Sequence, residues 1–225
     1  MRRCLMIVVK EPVAGQVKTR LATGVGFEAA LQLYRAFIAD TIALAQSVPG
    51  VEIALVYWPE HARAYFQALS SGAHLLPQYG TDLGERLLSA FKQAAAAGFE
   101  HCVVISSDSP SLPGAYLVQA FEALEHVPVV LGPCDDGGYY LIGMRTPQPE
   151  VFHNIAWSTE VVYQQTLERI AAAGLQYAAL PSWYDIDTVD DLPRLHADLT
   201  SRVAVRSATL PVLNELTIST SMDHR

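Results

Sequence analysis

The chain has 225 residues, 51% of them hydrophobic, which is enough for one domain with a full core. It carries 15 basic and 23 acidic residues, giving a formal net charge of −8, and no extended block of lysine and arginine. This charge pattern excludes a broad nucleic-acid-binding surface. A phosphate site, if present, must be local and built from a few basic groups.

The amino terminus and the cysteines favour a cytoplasmic protein. The first apolar run is as short as a buried strand and ends without a small-residue cleavage site, so we expect no signal peptide. No apolar run reaches the ~20 residues of a membrane span. The three cysteines form no metal-binding pattern and fit a reducing compartment. We expect Cys4 and Cys102 to lie in the core and Cys134 to be partly accessible.

Apolar segments typical of β-strands alternate with segments of helical periodicity. The predicted strands are residues 4–9, 51–57, 73–77, 102–106, 127–131, 139–144 and 176–180, and the clearest helices are 28–46, 83–97, 116–124 and 161–172. This alternation predicts a three-layer, Rossmann-like α/β fold with a mostly parallel sheet. Ligands of such sheets bind beyond the carboxyl ends of the strands, which selects the loops after Val9, Pro77, Ile105 and Leu131.

The first of these loops, residues 10–21, contains three cations, a glycine and a proline. A loop between a strand and a helix can hold phosphates with its backbone N–H groups. Lys18 would act as a point charge there and Arg20 as a bidentate fork. The sequence is not a P-loop, because Pro12 and Val17 occupy the places of the two required glycines. The alternative is a solvated basic loop.

Two further segments each contain one aspartate at a candidate site. In residues 78–87, glycines flank Asp82 just before an amphipathic helix, which favours a helix N-cap over contact with a base or ribose. In residues 106–112, Asp108 follows a strand rich in valine and isoleucine. Hard divalent cations prefer such carboxylates, although an aspartate turn with capping serines is the alternative.

An acidic turn follows the fifth predicted strand. Asp135 and Asp136 precede Gly137 and Gly138, and apolar runs enter and leave this turn. The glycines permit positive φ and close approach of a bound molecule. A carboxylate pair in a loop between two strands suggests a site, while an ordinary hairpin turn is the alternative.

The last acidic segment is residues 184–192. In an extended chain Asp185 and Asp187 point to one face while Ile186 packs inward. Two carboxylates on one face repel each other unless a cation or donors lie between them. Asp187 could instead begin the following helix. Upstream, Trp157 either covers an acceptor or is a core aromatic.

These stretches together resemble the bacterial radical-SAM/selenodomain-associated transferases, a branch of the nucleotide-diphospho-sugar transferase superfamily with the GT-A type of fold. The motifs that carry the resemblance are Lys-x-Pro-x-x-Gly-x-Val-Lys-Thr-Arg-Leu at 10–21, Gln-x-Gly-x-Asp-Leu-Gly-x-Arg at 78–86, Ser-Asp-x-Pro-x-Leu at 107–112, Gly-Pro-x-x-Asp-Gly-Gly-Tyr-Tyr-Leu-Ile-Gly at 132–143 and Asp-Ile-Asp-Thr at 185–188. They occur in the family's order, and the resemblance covers roughly residues 5 to 199.

The resemblance implies a transferase that takes a nucleotide-activated donor and uses Mg²⁺ or Mn²⁺. By similarity, Asp108 and Asp187 hold the metal. The acidic motif here is Ser-Asp-Ser instead of a full Asp-x-Asp, so one carboxylate must suffice there, and Val189 stands where relatives often have proline. The family name implies glycosyl transfer, whereas similar sheets such as that of 2-phospholactate guanylyltransferase transfer nucleotidyl groups. A non-catalytic nucleotide-binding module is a third hypothesis.

The predicted site has four parts. The catalytic residues are Lys18, Asp108 and Asp136; the nucleotide-binding residues are Lys10, Pro12, Gly15, Lys18, Arg20, Gly80, Asp82 and Gly84; the acceptor-binding residues are Asp135, Asp136, Gly137, Gly138, Tyr139 and Trp157; the metal ligands are Asp108, Asp185 and Asp187. The partners are a nucleotide or nucleotide-sugar donor and a small-molecule acceptor, and the sequence is compatible with a homodimer.

We expect residues 1–200 to form one GT-A-like domain and residues 201–225 a partly disordered extension. Within the extension, residues 203–205 and 210–216 are predicted to add a strand or to pack on the surface, and about the last eight residues to fray.

Overall fold

The computed structural model describes residues 1–201 and 207–222, with the side chains of 217–222 left out. It contains a seven-stranded sheet in the order β3-β2-β1-β4-β6-β5-β7. The strands are β1 Arg3–Lys10, β2 Glu52–Trp58, β3 His74–Pro77, β4 His101–Ser106, β5 Val129–Pro133, β6 Tyr139–Met144 and β7 Tyr177–Ala179. All neighbouring pairs are parallel except those of β6, which runs antiparallel to β4 and β5. The predicted α/β class and mostly parallel sheet are confirmed.

Eight α-helices connect and cover these strands in the described chain. They are α1 Thr19–Val25, α2 Phe27–Gln46, α3 Arg63–Leu69, α4 Leu83–Ala96, α5 Gly114–Ala123, α6 Val162–Ala172, α7 Leu192–Ser201 and α8 Thr209–Met222. Each predicted strand and helix is present within two residues of its predicted bounds. The short helices α1 and α3, which have seven residues each, were not predicted.

The alternation of side chains along β1 explains the three layers. Leu5 and Ile7 pack with helices α2 and α5 on one face of the sheet. Cys4 and Met6 point to the other face and pack with α4 and α6. Because both faces are covered, the strands are nearly continuous apolar runs, as expected for a buried parallel sheet.

One expectation from the sequence is wrong, and one alternative is excluded. Cys134 is buried, with 7% of its surface exposed. It follows the last residue of β5, and its backbone forms a β-bridge with that of Trp183. Of the two alternatives for residues 210–216, the strand is excluded, because these residues belong to helix α8, which packs on α2. The predicted strand at 203–205 lies outside the described residues. Cys4 and Cys102 are buried as predicted.

Helix α8 is fixed to α2 by apolar contact and by one carboxylate. Leu213 packs with Leu33 and Phe37 of α2. The Asp40 carboxylate, also on α2, accepts hydrogen bonds from the Ser207 hydroxyl at 2.7 Å and from the backbone N–H of Thr209 at 3.0 Å. A negative charge at these N–H groups also opposes the positive end of the α8 dipole. The carboxylate therefore serves as an N-cap supplied by another helix.

In the described part of the chain, no helix combines the length and the apolar character that crossing a membrane requires.

We predict that Asp40→Ala weakens the attachment of α8. Loss of an N-capping carboxylate should lower the free energy of unfolding by about 1–2 kcal/mol and speed amide hydrogen exchange in α8. Glu122→Ala, which removes an exposed carboxylate from α5, is the matched control. Equal exchange rates of α8 in Asp40→Ala and wild type would contradict the capping role.

Candidate active site

The loop after β1 places Lys18 next to Asp108 and Asp187. Gly15, at φ +75°, allows the chain to turn, and Gln16 N–H donates to Val13 O at 3.0 Å. Lys18 then begins α1 in the left-handed region, at φ 47° and ψ 43°. A non-glycine residue in this region costs on the order of 1 kcal/mol and is retained where the surroundings fix it. Here the surroundings are the contacts of the lysine side chain.

The Lys18 ammonium lies between two carboxylates. Its Nζ is 2.7 Å from Asp108 Oδ1, 3.4 Å from Asp187 Oδ1 and 2.6 Å from the carbonyl oxygen of Ile186. These three acceptors match its three N–H donors. Only 5% of the side chain is exposed. The predicted convergence of Lys18, Asp108 and Asp187 is therefore confirmed, but the ammonium is bonded to protein oxygens and does not project freely from the loop.

The charge of Lys18 is stabilised by this arrangement. Burial lowers the pKa of the ammonium, but the attraction of Asp108, and after it that of Asp187, more than offsets this and leaves the pKa raised. The lysine is therefore cationic throughout the neutral range and compensates part of the negative charge of the two acids.

Asp108 and the acidic segment are connected through the backbone. The Asp108 N–H donates to Ser106 Oγ at 2.7 Å, which forms the turn after β4. The Asp108 carbonyl accepts the N–H of Ile186 at 2.9 Å. Ile186 is fully buried, as predicted, in the apolar cluster that includes α1, α2 and α7. Packing of this one residue therefore brings Asp185 and Asp187 beside Asp108.

The turn after Asp187 is held by Asp191. The Asp191 Oδ2 accepts the N–H groups of Asp187 and Thr188 at 2.9 and 2.7 Å. Thr188 and Asp191 form a capping box, so Asp187 is not itself the helix cap. Asp187 Oδ2 instead accepts from Arg20 at 2.7 Å. The alternative of Asp187 as a helix N-terminus residue is excluded.

Asp185 is a partly buried acid next to Ile186. It accepts a hydrogen bond from the Ser109 hydroxyl. Burial, with the nearby negative charge of Asp108 as the next contribution, raises the pKa of Asp185 well above the usual aspartate range. The raised pKa favours the protonated, uncharged form of Asp185.

Two clefts meet at these acids. The first cleft, of about 590 Å³, is lined by the cations Lys10, Lys18, Arg20 and Arg86. The second cleft, of about 660 Å³, is lined by Asp136, Gly138, Tyr139, Trp157 and Asp185. Arg20, Leu83, Asp108 and Asp187 line both clefts. We call these four residues the shared edge.

The residues predicted to bind a nucleotide fall into two groups. Lys10, Lys18 and Arg20 line the first cleft. Pro12, Gly15, Gly80, Asp82 and Gly84 are not part of its lining. Asp82 is the N-cap of α4, since its Oδ1 accepts the Glu85 N–H at 2.8 Å. This confirms the cap, which the sequence favoured.

Gly84 has a packing role. A Cβ built on it would lie 2.5 Å from the Trp157 indole, so that only glycine lets the ring rest on the backbone of α4. Trp157 in turn lies edge to face with Tyr139, with ring centres 6.5 Å apart. Through this contact the motif at 78–86 forms the support for a wall of the second cleft.

The acidic turn divides similarly. Asp136, Gly138, Tyr139 and Trp157 line the second cleft, whereas Asp135 and Gly137 do not. The Asp135 carboxylate accepts from Arg194 of α7 at 2.8 Å. Gly137, at φ +87°, packs so closely that a Cβ would lie 2.0 Å from the carbonyl oxygen of Glu160.

Asp136 Oδ1 accepts the Gly138 N–H at 2.9 Å, so the hairpin-turn alternative also describes this segment.

Sequence reasoning assigned no function to Trp58 and Arg86, although both line the first cleft. Arg86 stands at a named position of the motif at 78–86. Trp58 could have been found as a large aromatic residue at the carboxyl end of a strand, where side chains meet ligands.

The acids of the shared edge are compatible with a hard divalent cation. Asp108 and Asp187 keep 36% and 31% of their side-chain surface exposed, and both present only oxygen. Within the described residues no three histidine, cysteine or acidic side chains are grouped so as to hold a metal ion. Mg²⁺ commonly binds one or two carboxylates and completes its shell with water and substrate phosphates, and two carboxylates meet that requirement.

We predict that Lys18→Met destabilises the protein. The change removes the buried cation between Asp108 and Asp187 and leaves only the exposed Arg20, which contacts Asp187. We expect a loss on the order of 2 kcal/mol in urea unfolding, below the 3–5 kcal/mol for a fully buried pair, because a third of each carboxylate remains in solvent. Lys10→Met, whose ammonium donates to Gln16 O at 2.8 Å, is the control and should change stability by less than about 0.5 kcal/mol. Equal effects of the two changes would contradict a central role for Lys18.

Comparison with known proteins places the chain. A bacterial family described as an uncharacterized protein conserved in bacteria (DUF2064) matches residues 41–159. A crystal structure from Desulfovibrio desulfuricans G20, of a protein provisionally named a nucleotide-diphospho-sugar transferase, shares 37% identity and a TM-score of 0.89, over 96% of this chain and 95% of that one. No sequence among the curated proteins matches this chain.

More distant structures share the fold alone. CMP:2-keto-3-deoxy-manno-octonic acid synthetase, complexed with CTP, has 12% identity and a TM-score of 0.52, over 90% of this chain and all of the other. Rv0371C from Mycobacterium tuberculosis H37Rv, in complex with manganese, has 16% identity and a TM-score of 0.52, over 87% and 98% of the two chains. The family match spans more than half of the chain, and the similarity to the Desulfovibrio protein is nearly full-length. The chain therefore belongs to the DUF2064 family.

Proposed function

We propose that this protein is a transferase that takes a nucleotide-activated donor, with glycosyl transfer from a nucleotide-diphospho-sugar as the main hypothesis. The observation that carries the proposal is the shared edge. A cleft rich in cations and a cleft rich in acids meet at Asp108 and Asp187. A donor bound in the first cleft and an acceptor bound in the second would present their reacting atoms to each other at these two carboxylates.

The first cleft suits the diphosphate of such a donor. Lys10, Arg20 and Arg86 line it and supply positive charge to an otherwise acidic protein. Arg20 has 72% of its side chain exposed while it contacts Asp187. It can therefore present N–H donors to a phosphate without breaking a buried contact. The loop thereby concentrates charge where a leaving diphosphate would develop it.

Asp108 and Asp187 would hold Mg²⁺ or Mn²⁺ on their exposed sides. Such an ion supplies stabilisation of negative charge on the oxygen that leaves. The contribution of the chain is to fix the two carboxylates, which Lys18 does by bonding to both. The manganese complex of Rv0371C, which shares this fold, supports the choice of ion.

The second cleft would bind the acceptor. Asp136 lines it and remains the candidate that takes a proton from the acceptor. Trp157 and Tyr139 provide an aromatic surface next to these acids, as a sugar or another small polar acceptor with an apolar face requires.

Nucleotidyl transfer is the second candidate function. The fold is shared with a synthetase that was crystallised with CTP, and the same cations would bind a leaving pyrophosphate. The two reactions differ in the bond that breaks. Attack at the sugar carbon releases a nucleoside diphosphate, and attack at the α-phosphorus releases pyrophosphate. The association with radical-SAM and selenodomain proteins, which the motifs imply, stays a prediction.

The test is a donor panel. The protein is incubated with Mn²⁺ and individual nucleotide sugars or nucleoside triphosphates, and thermal stability and released products are measured. A nucleoside diphosphate as product supports glycosyl transfer, and pyrophosphate supports nucleotidyl transfer. A donor that stabilises the protein but is never consumed with a broad set of acceptors would favour a non-catalytic binding module.

We predict that Asp108→Asn removes the part of nucleotide stabilisation that depends on Mn²⁺, because a neutral amide is a poor ligand for a hard cation. The rise in Tm on adding Mn²⁺ to a nucleotide complex should fall to that seen without metal. Asp135→Asn is the matched control, since its carboxylate faces Arg194 and lies outside both clefts. Retention of the Mn²⁺ effect in Asp108→Asn would place the metal elsewhere.

A further inference from the structure

One end of the first cleft carries a stacked pair that the proposed chemistry does not use. Trp58, the last residue of β2, has 39% of its surface exposed. The guanidinium carbon of Arg86 lies 5.1 Å from the centre of its ring. Both residues line the first cleft together with Lys18 and Asp108. A partly exposed aromatic ring in a charged cleft is available to stack on a planar group of a ligand.

The pair is held in place by backbone contacts. The Trp58 carbonyl accepts the N–H of Glu11 at 2.7 Å, and Arg86 Nε donates to the carbonyl of Gly80 at 3.2 Å. The neighbouring Gln78 is buried, and its amide nitrogen donates to Val56 O at 2.9 Å. The amide N–H groups of Gln78 are thus engaged by the fold, so the indole of Trp58 and the guanidinium of Arg86 are the planar groups considered at this end of the cleft.

The sheet order sets the distance between Trp58 and Asp108. Trp58 ends β2 and Asp108 follows β4, and β1 lies between these strands. Two strand spacings of about 4.8 Å separate the two strand ends by roughly 10 Å. The cations Lys18 and Arg20 belong to the loop after β1, between them. A ligand with phosphates at the central loop would therefore extend a planar group toward Trp58.

We propose that Trp58 and Arg86 form a stacking platform for the nucleobase of the donor. Indole and guanidinium both stack on the π-face of a base, and such stacking tolerates different bases because every base has a π-face. The platform would thus select nucleotides over bare phosphates without selecting strongly among bases. This inference rests on the proposed function, since it assigns one end of the same donor cleft.

The test is calorimetric binding of three probes in the presence of Mn²⁺: CDP, GDP and pyrophosphate. Trp58→Ala should weaken binding of CDP and GDP by about 5- to 100-fold and leave pyrophosphate unchanged. Trp58→Phe should retain most of the affinity. Tyr177→Ala, which removes an aromatic residue of similar exposure from β7, is the control and should bind all three like wild type.

Fluorescence gives a readout that does not depend on the alanine variant being folded. GDP should quench the emission of the wild-type protein, and the quenching should be largely lost in Trp58→Phe, which keeps Trp157 and Trp183. Unchanged affinity of CDP and GDP in Trp58→Ala, or undiminished quenching in Trp58→Phe, overturns the platform while the proposed function stands. Equal weakening of pyrophosphate overturns it as well. If wild type binds neither nucleotide nor pyrophosphate, the proposed function itself fails.

Discussion

The contact of one ammonium with two carboxylates determines how this site is built. Lys18 bonds to Asp108, Asp187 and the carbonyl of Ile186, which come from loops far apart in the sequence. Without a cation the two acids would repel each other at close range. The lysine thus serves as an internal counter-ion. Its side-chain contacts offset the free-energy cost of its left-handed backbone conformation.

This arrangement also explains why two clefts share a single edge. Asp108 follows the central strand β4, and the 185–187 segment is pulled alongside it by the buried Ile186. Each acid therefore borders a cation-lined space on one side and an acid-lined space on the other. A protein that must bring two substrates together without exposing the reacting atoms widely to water gains from such a boundary.

The sequence predicted the strands and the long helices well, because their periodicity is strong and the parallel sheet is apolar on both faces. It also predicted that Lys18, Asp108 and Asp187 converge, because ligands collect at the carboxyl ends of parallel strands. It did not predict that the Lys18 ammonium is buried, because the local sequence of a polar loop is the same for a solvated lysine and for a buried one. Local spacing also did not predict the β-bridge between Cys134 and Trp183 or the ion pair of Asp135 with Arg194, because both partners come from distant segments.

The glycine beneath the Trp157 ring has a mechanical consequence. The indole rests directly on the first turn of α4, and Leu83 of the same turn lines both clefts, so this turn contributes to the wall of each. A displacement of that turn by a molecule in one space would tilt the ring that bounds the other. The shapes of the two clefts would thus change together through direct packing of one ring on one helical turn.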